Sequence, residues 1–273
     1  MSIFQAIVLG IVQGLTEFLP ISSTGHLRIV PALLGWEDPG TAFTAIIQLG
    51  TMAAVLVYFF KDIVRIVSAW ARSLWTPELR GTLDARMGWY IGLGTIPIGV
   101  FGLLFQNQIE TTARDLRLIG WVLILFGILL WAVDRFMPQR KETDDLTLRD
   151  GLLFGVAQAF ALIPGVSRSG STITAGRALS YTREAAARFS FLLSIPAVVL
   201  SGLFQLKDIG TDAGPGTAAT IVATIVSFVV GYAAIAWFLR YLTSHSTVVF
   251  VVYRVALGTL LIILLATGTI SAR

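Results

Sequence analysis

The sequence predicts an all-α integral membrane protein, with six transmembrane helices plus two re-entrant helix hairpins in an inverted-topology repeat. Three observations carry that expectation. Hydrophobic residues make up 55% of the chain and charged residues 13%, where soluble domains hold about a quarter charged. Six apolar runs, 41–60, 88–105, 117–133, 187–204, 218–239 and 247–267, fall in the range of roughly 17–25 residues that crosses a bilayer. Two further apolar segments are each interrupted by a polar break containing Pro and Gly.

The elements follow in chain order. Residues 3–19 are apolar, Pro20-Ile-Ser-Ser-Thr-Gly-His26 interrupts them, and a short run follows at 27–35. Pieces this short do not span, and a hairpin over 3–35 that enters and leaves on one side accommodates them. Spans 41–60, 88–105 and 117–133 complete a first unit, 1–136. Residues 137–150 form a polar linker. A second unit, 148–273, repeats the order: a hairpin over 151–180, broken at Pro164-Gly-Val-Ser-Arg-Ser-Gly170, then spans 187–204, 218–239 and 247–267.

The two units correspond residue by residue at their landmarks. Phe43 and Phe189 open equivalent runs, and Lys61-Asp62-Ile63 and Lys207-Asp208-Ile209 close them, both 146 positions apart. Gly10-Ile-Val-Gln13 answers Gly155-Val-Ala-Gln158, and the polar breaks answer each other. A returning hairpin leaves the chain on the face where it began, whereas three spans carry it across. The second unit therefore starts from the opposite face, and the hairpins point toward each other.

Charge sets the expected orientation. The loop 61–87, the linker 134–150, the stretch 176–188 and Arg240 place 13 basic residues on one face, against 5 (Arg28, Arg114, Arg117, Lys207, Arg273) on the other. The rich face is cytoplasmic by the positive-inside rule, so both termini and the mouth of the first hairpin lie outside. The net charge of +4 is thus an orientation signal and not a nucleic-acid patch. The absence of cysteine excludes disulfides, thiolate metal sites and cysteine nucleophiles. The N-terminal stretch has no basic leader or small-residue cleavage site, and is expected to be retained.

Chemistry concentrates at the breaks. Glu17 is the acid well inside an apolar segment, where burial costs about 2.5–3.5 kcal/mol on insertion scales and marks a functional residue by default. Gln13 stands one helical turn earlier on the same face. The two could offer oxygens to a hard divalent cation such as Mg²⁺ or Ca²⁺, although a buried Gln also serves to bridge helices. Ser22, Ser23 and Thr24 can cap the helix that follows Pro20, and a helix N-terminus suits an anion. His26 can act as acid, base or nucleophile. Arg168, flanked by Ser167 and Ser169, needs a partner at membrane depth and matches phosphate bidentately. Pairing with Glu17 is its simplest structural alternative. If the hairpins face each other, Glu17, His26 and Arg168 converge. His245 reads as an interfacial histidine, and Arg254 as a cation that snorkels or pairs internally.

These motifs resemble a known family. Gln13-Gly-Leu-Thr-Glu17-Phe-Leu-Pro-Ile-Ser-Ser-Thr-Gly-His26 and Pro164-Gly-Val-Ser-Arg-Ser-Gly-Ser-Thr172 resemble the two signatures of the undecaprenyl-diphosphate phosphatases, or bacitracin-resistance proteins. The resemblance covers essentially the whole chain. It implies hydrolysis of a polyprenyl diphosphate lipid to the monophosphate and inorganic phosphate with a divalent cation, recycling of the carrier for peptidoglycan, and a site open to the outer face of the bacterial cytoplasmic membrane. It implies Glu17 as metal-binding acid, Ser23 and His26 as catalytic pair, and Arg168 as phosphate-binding arginine. Ser22, Ser167, Ser169 and Thr172 match neighbouring positions that touch substrate. Gln13 stands where many members carry Glu, so one negative charge is missing from the metal site. The nucleophile is left open among Ser23, His26 and water. Membrane lipids are the other expected partners, and a homodimer stays open. The rival reading is a transporter that flips the lipid, since broken helices in inverted repeats also build transporters.

Overall fold

The computed structural model describes residues 1–110, 115–205 and 216–272, the side chains of 41, 110 and 201–205 excepted. Helices α1 (Ile3–Phe18) and α2 (Ser23–Leu34) flank the first break. Then come α3 (Gly40–Tyr58), α4 (Phe60–Ser73), α5 (Leu83–Leu104), α6 (Gln106–Glu110) and α7 (Leu116–Phe136). Helices α8 (Leu148–Ala159) and α9 (Arg168–Ala178) flank the second break, and α10 (Arg183–Gln205), α11 (Thr217–Leu242) and α12 (Val248–Ala266) complete the chain. Lys207-Asp208-Ile209, Arg114 and Arg273 lie outside the described residues.

The fold is all-α and membrane-embedded. Among the described residues, α5, α7, α11 and α12 are long and apolar enough to cross a bilayer, and the pair α3–α4, bent by 75°, supplies up to a fifth crossing. Six such helices were expected. The run 187–204 falls within α10, whose first two turns carry Arg183, Glu184 and Arg188. Leu125, Ile225, Val229 and Val252 are each more than half exposed, the condition of side chains that face lipid.

Residues 61–87, a loop by sequence expectation, are mostly helical. Helix α4 begins directly after Phe59 and is amphipathic: Ile66 is buried against the core while Phe60, Val64 and Val67 are exposed. It packs on α5, with Trp70 lying against Gly88, where an added Cβ would come within 2.6 Å of the indole's own Cβ. The basic residues at 61, 65 and 72 obscured a helical period that Phe60, Val64, Val67 and Ala71 in fact carry.

Small residues let these helices approach closely, as packing within lipid requires. Helix α1 lies on α11 and α3, and α8 lies on α5. A Cβ at Gly155 of α8 would sit 2.2 Å from the Gly94 carbonyl oxygen of α5. Helices α3 and α10 pack on each other, and so do α7 and α12.

The basic segments gather at one end of this bundle. Arg188 pairs with Asp62 at 2.6 Å, joining α10 to α4. The fully buried Arg177 donates to Asp134 Oδ1 at 3.0 Å and to the carbonyls of Met137, Pro138 and Tyr181. Arg183 and Thr247 also donate to Asp134, so one carboxylate joins α7, α9, α10 and the start of α12. The Tyr181 hydroxyl donates to Asp150 at 2.6 Å; burial and that carboxylate both raise its pKa above the ordinary phenol value. At the other end, the Leu116 N–H at the start of α7 donates to the Ala272 carbonyl.

The α5–α8 crossing makes a sharp test. Gly155→Val forces side-chain atoms into backbone and is expected to cost about 1–3 kcal/mol or more, the usual range for overpacking. Gly92→Ala, where a Cβ meets nothing within 4 Å, is expected to leave stability unchanged. Thermal unfolding of both variants in detergent measures the difference.

Candidate active site

The two breaks have the same backbone construction. Ser22 (φ 76°) and Ser167 (φ 73°) hold a left-handed conformation uncommon outside glycine, and each caps the short helix that follows. Ser22 Oγ accepts from the Gly25 N–H at 3.3 Å, and Ser167 Oγ accepts from the Gly170 N–H at 3.1 Å. The first residue of each capped helix is thereby aimed inward. In α2 that residue is Ser23 and in α9 it is Arg168.

Both reach the same carboxylate. Arg168 Nη2 donates to Glu17 Oε1 in a short ion pair. Ser23 Oγ donates to Glu17 Oε2 at 2.6 Å, and Gln13 Nε2 donates to the same oxygen at 3.0 Å. Gln48 Nε2 of α3 donates to Oε1 at 3.2 Å. Glu17, only 6% exposed, thus accepts from four side chains on α1, α2, α3 and α9, which repays much of the cost of burying it. Arg168 also donates to the Ser194 carbonyl of α10 at 3.4 Å.

This point opens into a cavity of about 520 Å³. Its polar floor includes Glu17, Ser23, Gln48, Ser167 and Arg168, and its apolar walls include Ile98 and Leu103 of α5 and Val198 of α10. A space with an ionic floor and apolar walls suits an amphiphile with an anionic head.

The other expected residues have different surroundings. His26 is buried and does not line the cavity. Its Nδ1 lies 2.7 Å from the Ser22 carbonyl, which can only accept, so Nδ1 carries the proton. Its Nε2 lies 2.7 Å from the Tyr253 hydroxyl of α12, against whose ring it also stacks. Ser23 and His26 therefore each have another partner in this structure. Ser22, Ser169 and Thr172 are buried and join elements together. Ser22 Oγ accepts from the Gly165 N–H, Ser169 Oγ donates to the Leu19 carbonyl, and Thr172 Oγ1 lies 2.5 Å from Ser190 Oγ. Gln13 turns its amide nitrogen toward Glu17, so its oxygen and the carboxylate do not converge as the one-turn spacing suggested. That oxygen is buried without a hydrogen-bond partner. No group of three His, Cys, Asp or Glu residues able to hold a metal occurs among the described residues. Oxygen donors of the hard-cation kind are nonetheless present in Glu17 and Gln13.

A family model described as bacitracin resistance protein BacA matches residues 6–260. The chain belongs to that family. It is 57% identical to an undecaprenyl-diphosphatase of Thermobifida fusca over 99% of this chain and 93% of the relative. It is 59% identical to an undecaprenyl-diphosphatase of Nocardioides sp. over 98% of each, and 57% identical to undecaprenyl-diphosphatase 2 of Frankia casuarinae over 99% and 97%.

In this BacA-family chain, three residues that sequence reasoning left without a role complete the arrangement, together with Arg254. Gln48 braces Glu17, Thr51 braces Gln13 at 3.3 Å, and Tyr253 braces His26. Only the polarity of Gln48 and Thr51 within an apolar run could have signalled the first two. Arg254, expected to snorkel or to pair internally, does the latter. It is fully buried and donates to the carbonyls of Pro20, Val166, Gly165 and Leu123 at 2.8–3.2 Å. It therefore pairs internally, and its partners are the tips of both breaks.

Removing that guanidinium strands buried carbonyls, each costing about 1–3 kcal/mol when unpaired. Arg254→Leu is expected to lower the detergent melting temperature markedly. Arg254→Lys, lacking the planar fork, is expected to recover only part of the loss. A Leu variant as stable as wild type would show that the tips hold together without the clamp.

Proposed function

We propose that the chain is a membrane phosphatase that hydrolyses undecaprenyl diphosphate to undecaprenyl phosphate and inorganic phosphate. It thereby recycles the lipid carrier for peptidoglycan synthesis and confers bacitracin resistance. The observation that carries this reading is the meeting of Glu17, Ser23 and Arg168, drawn from two breaks far apart in sequence, on the floor of an apolar-walled cavity. The names of its relatives agree with it.

Topology belongs to the same proposal. Six spans and two hairpins in an inverted repeat account for the reciprocal packing, in which α1 of the first unit lies on α11 of the second and α8 of the second on α5 of the first. The clustering of the basic segments at one end supports a cytoplasmic position for that end, with the cavity open to the outer face and both termini outside.

The chemistry follows phosphoryl-transfer logic, in which positioning and charge stabilisation do most of the work. The prenyl tail lies along the apolar wall, and the diphosphate descends to the floor. Arg168, the guanidinium matched to phosphate oxygens, exchanges its contact with Glu17 for the terminal phosphate. Ser23 Oγ attacks the terminal phosphorus. The Oγ–P bond forms, the bridging P–O bond breaks, the serine proton passes to Glu17, and undecaprenyl phosphate leaves. Water then attacks the phosphoserine phosphorus, the Oγ–P bond breaks, Glu17 returns its proton to Oγ, and the water's protons leave with the inorganic phosphate. His26, held by Tyr253 and the Ser22 carbonyl, positions the start of α2. A bound divalent cation would be held by Glu17, the carboxylate that lines the cavity, and would neutralise phosphate charge; the Gln13 oxygen, turned away from Glu17, would join it only after its amide rotates.

Purified protein tests this directly. Ser23→Ala, Glu17→Gln and Arg168→Ala are each expected to reduce phosphate release from undecaprenyl diphosphate by about 10²-fold or more, the scale of losing a group that acts in the transition state. Acid quenching of wild type should trap phosphate on Ser23. Unimpaired turnover in Ser23→Ala would overturn the serine's role, and no release by wild type with any cation would overturn the function.

A further inference from the structure

We propose that Arg28 is a second phosphate-holding residue of the same cavity. It takes the lipid-linked phosphate while Arg168 takes the terminal one, so Arg28 sets affinity for the intact diphosphate and retains the monophosphate product. This deepens the proposed function and rests on it.

The argument begins with charge. Glu17, Arg168 and Arg28 are the charged side chains among the described residues lining the cavity. Glu17 and Arg168 neutralise each other as an ion pair. A diphosphate head brings at least two negative charges, and Arg28 is the other cation lining the cavity, while its carboxylate partner Asp38 does not line it.

Placement agrees. Ser23, Thr24, Leu27 and Arg28 are the residues by which α2 lines the cavity. Leu27 and Arg28 stand one turn, about 5–6 Å, beyond Ser23 and Thr24 along the helix. The second cation therefore lies further from the break than the serine that touches Glu17, on the side from which a lipid-linked phosphate would follow a terminal one.

The present partner of Arg28 is loosely held. The Arg28 side chain is 13% exposed and meets Asp38 through Nε at 3.5 Å. Charge-assisted N–H···O bonds run nearer 2.7–2.9 Å, and a guanidinium engages phosphate through two donors at once. A phosphate is thus the stronger partner for this group. The structural alternative is that Arg28 merely tethers the turn between α2 and α3 through Asp38.

Steady-state phosphate release from undecaprenyl diphosphate by the purified full-length chain separates these roles. Arg28→Ala is expected to raise KM about tenfold or more, with kcat within about threefold, the pattern of lost uniform binding. The same variant should be less inhibited by added undecaprenyl phosphate, while inhibition by inorganic phosphate stays as in wild type. Asp38→Asn breaks the tether but keeps the cation, and is expected to leave KM equal to or below that of wild type. If Asp38→Asn reproduces the Arg28→Ala defect, the residue is a tether and the proposal is overturned. An Arg28→Ala enzyme with unchanged KM and product inhibition overturns it too, with the phosphatase reading intact. A wild-type protein that releases no phosphate overturns both.

Discussion

A buried guanidinium bonded to carbonyls of two separate chain breaks is the constraint on which this architecture rests. An interrupted helix at membrane depth leaves backbone oxygens that no water can satisfy. Arg254 satisfies three of them, on Pro20, Gly165 and Val166, and adds Leu123 of a neighbouring helix. The Gly165 N–H on Ser22 and the Ser169 hydroxyl on the Leu19 carbonyl draw the tips together further. Once the tips are fixed, the capping serines fix the first turns of α2 and α9, and those turns deliver Ser23 and Arg168 to Glu17.

The two breaks share a scaffold but not a chemistry. Ser22 and Ser167 have nearly the same φ, and each receives an N–H three residues on. The residue after each is a hydroxyl in one case and a cation in the other. Gln13 and Gln158 occupy matching places, yet an acid one turn later follows only Gln13, at Glu17; Leu162 stands at the corresponding place. Gln158 is buried with neither amide atom hydrogen-bonded, whereas Gln13 serves Glu17. A scaffold of matched breaks, each built on a left-handed serine, thus surrounds a single asymmetric centre.

Much of this was legible in the sequence because membranes penalise polarity so heavily. An acid and an arginine inside apolar runs need each other or a ligand, which is why Glu17 and Arg168 could be paired across 151 positions. The breaks were legible from Pro, Gly and serine. What stayed hidden depended on rotation about helix axes. His26 and Ser23 share α2, but the imidazole meets Tyr253 on α12 while the hydroxyl meets Glu17. Gln48 lies in a run whose apolar character concealed it, and the partners of Arg254 lie on elements that no spacing connects to it. Helix α4 was missed because Lys61, Asp62, Arg65 and Arg72 punctuate it, and its Ile66 side counts only once the core is there to receive it.

The knot around Asp134 bears on how such a molecule can move. Arg177 is fully buried within it, and four helices are joined there. Rocking one half against the other, as an alternating-access carrier must, would tear these contacts apart in a low-dielectric interior. The opposite end, where the turn before α3 lies, is outside that knot. A substrate with a long tail would slip in sideways from the leaflet and depart by the same door, with the far side acting as a fixed hinge-pin.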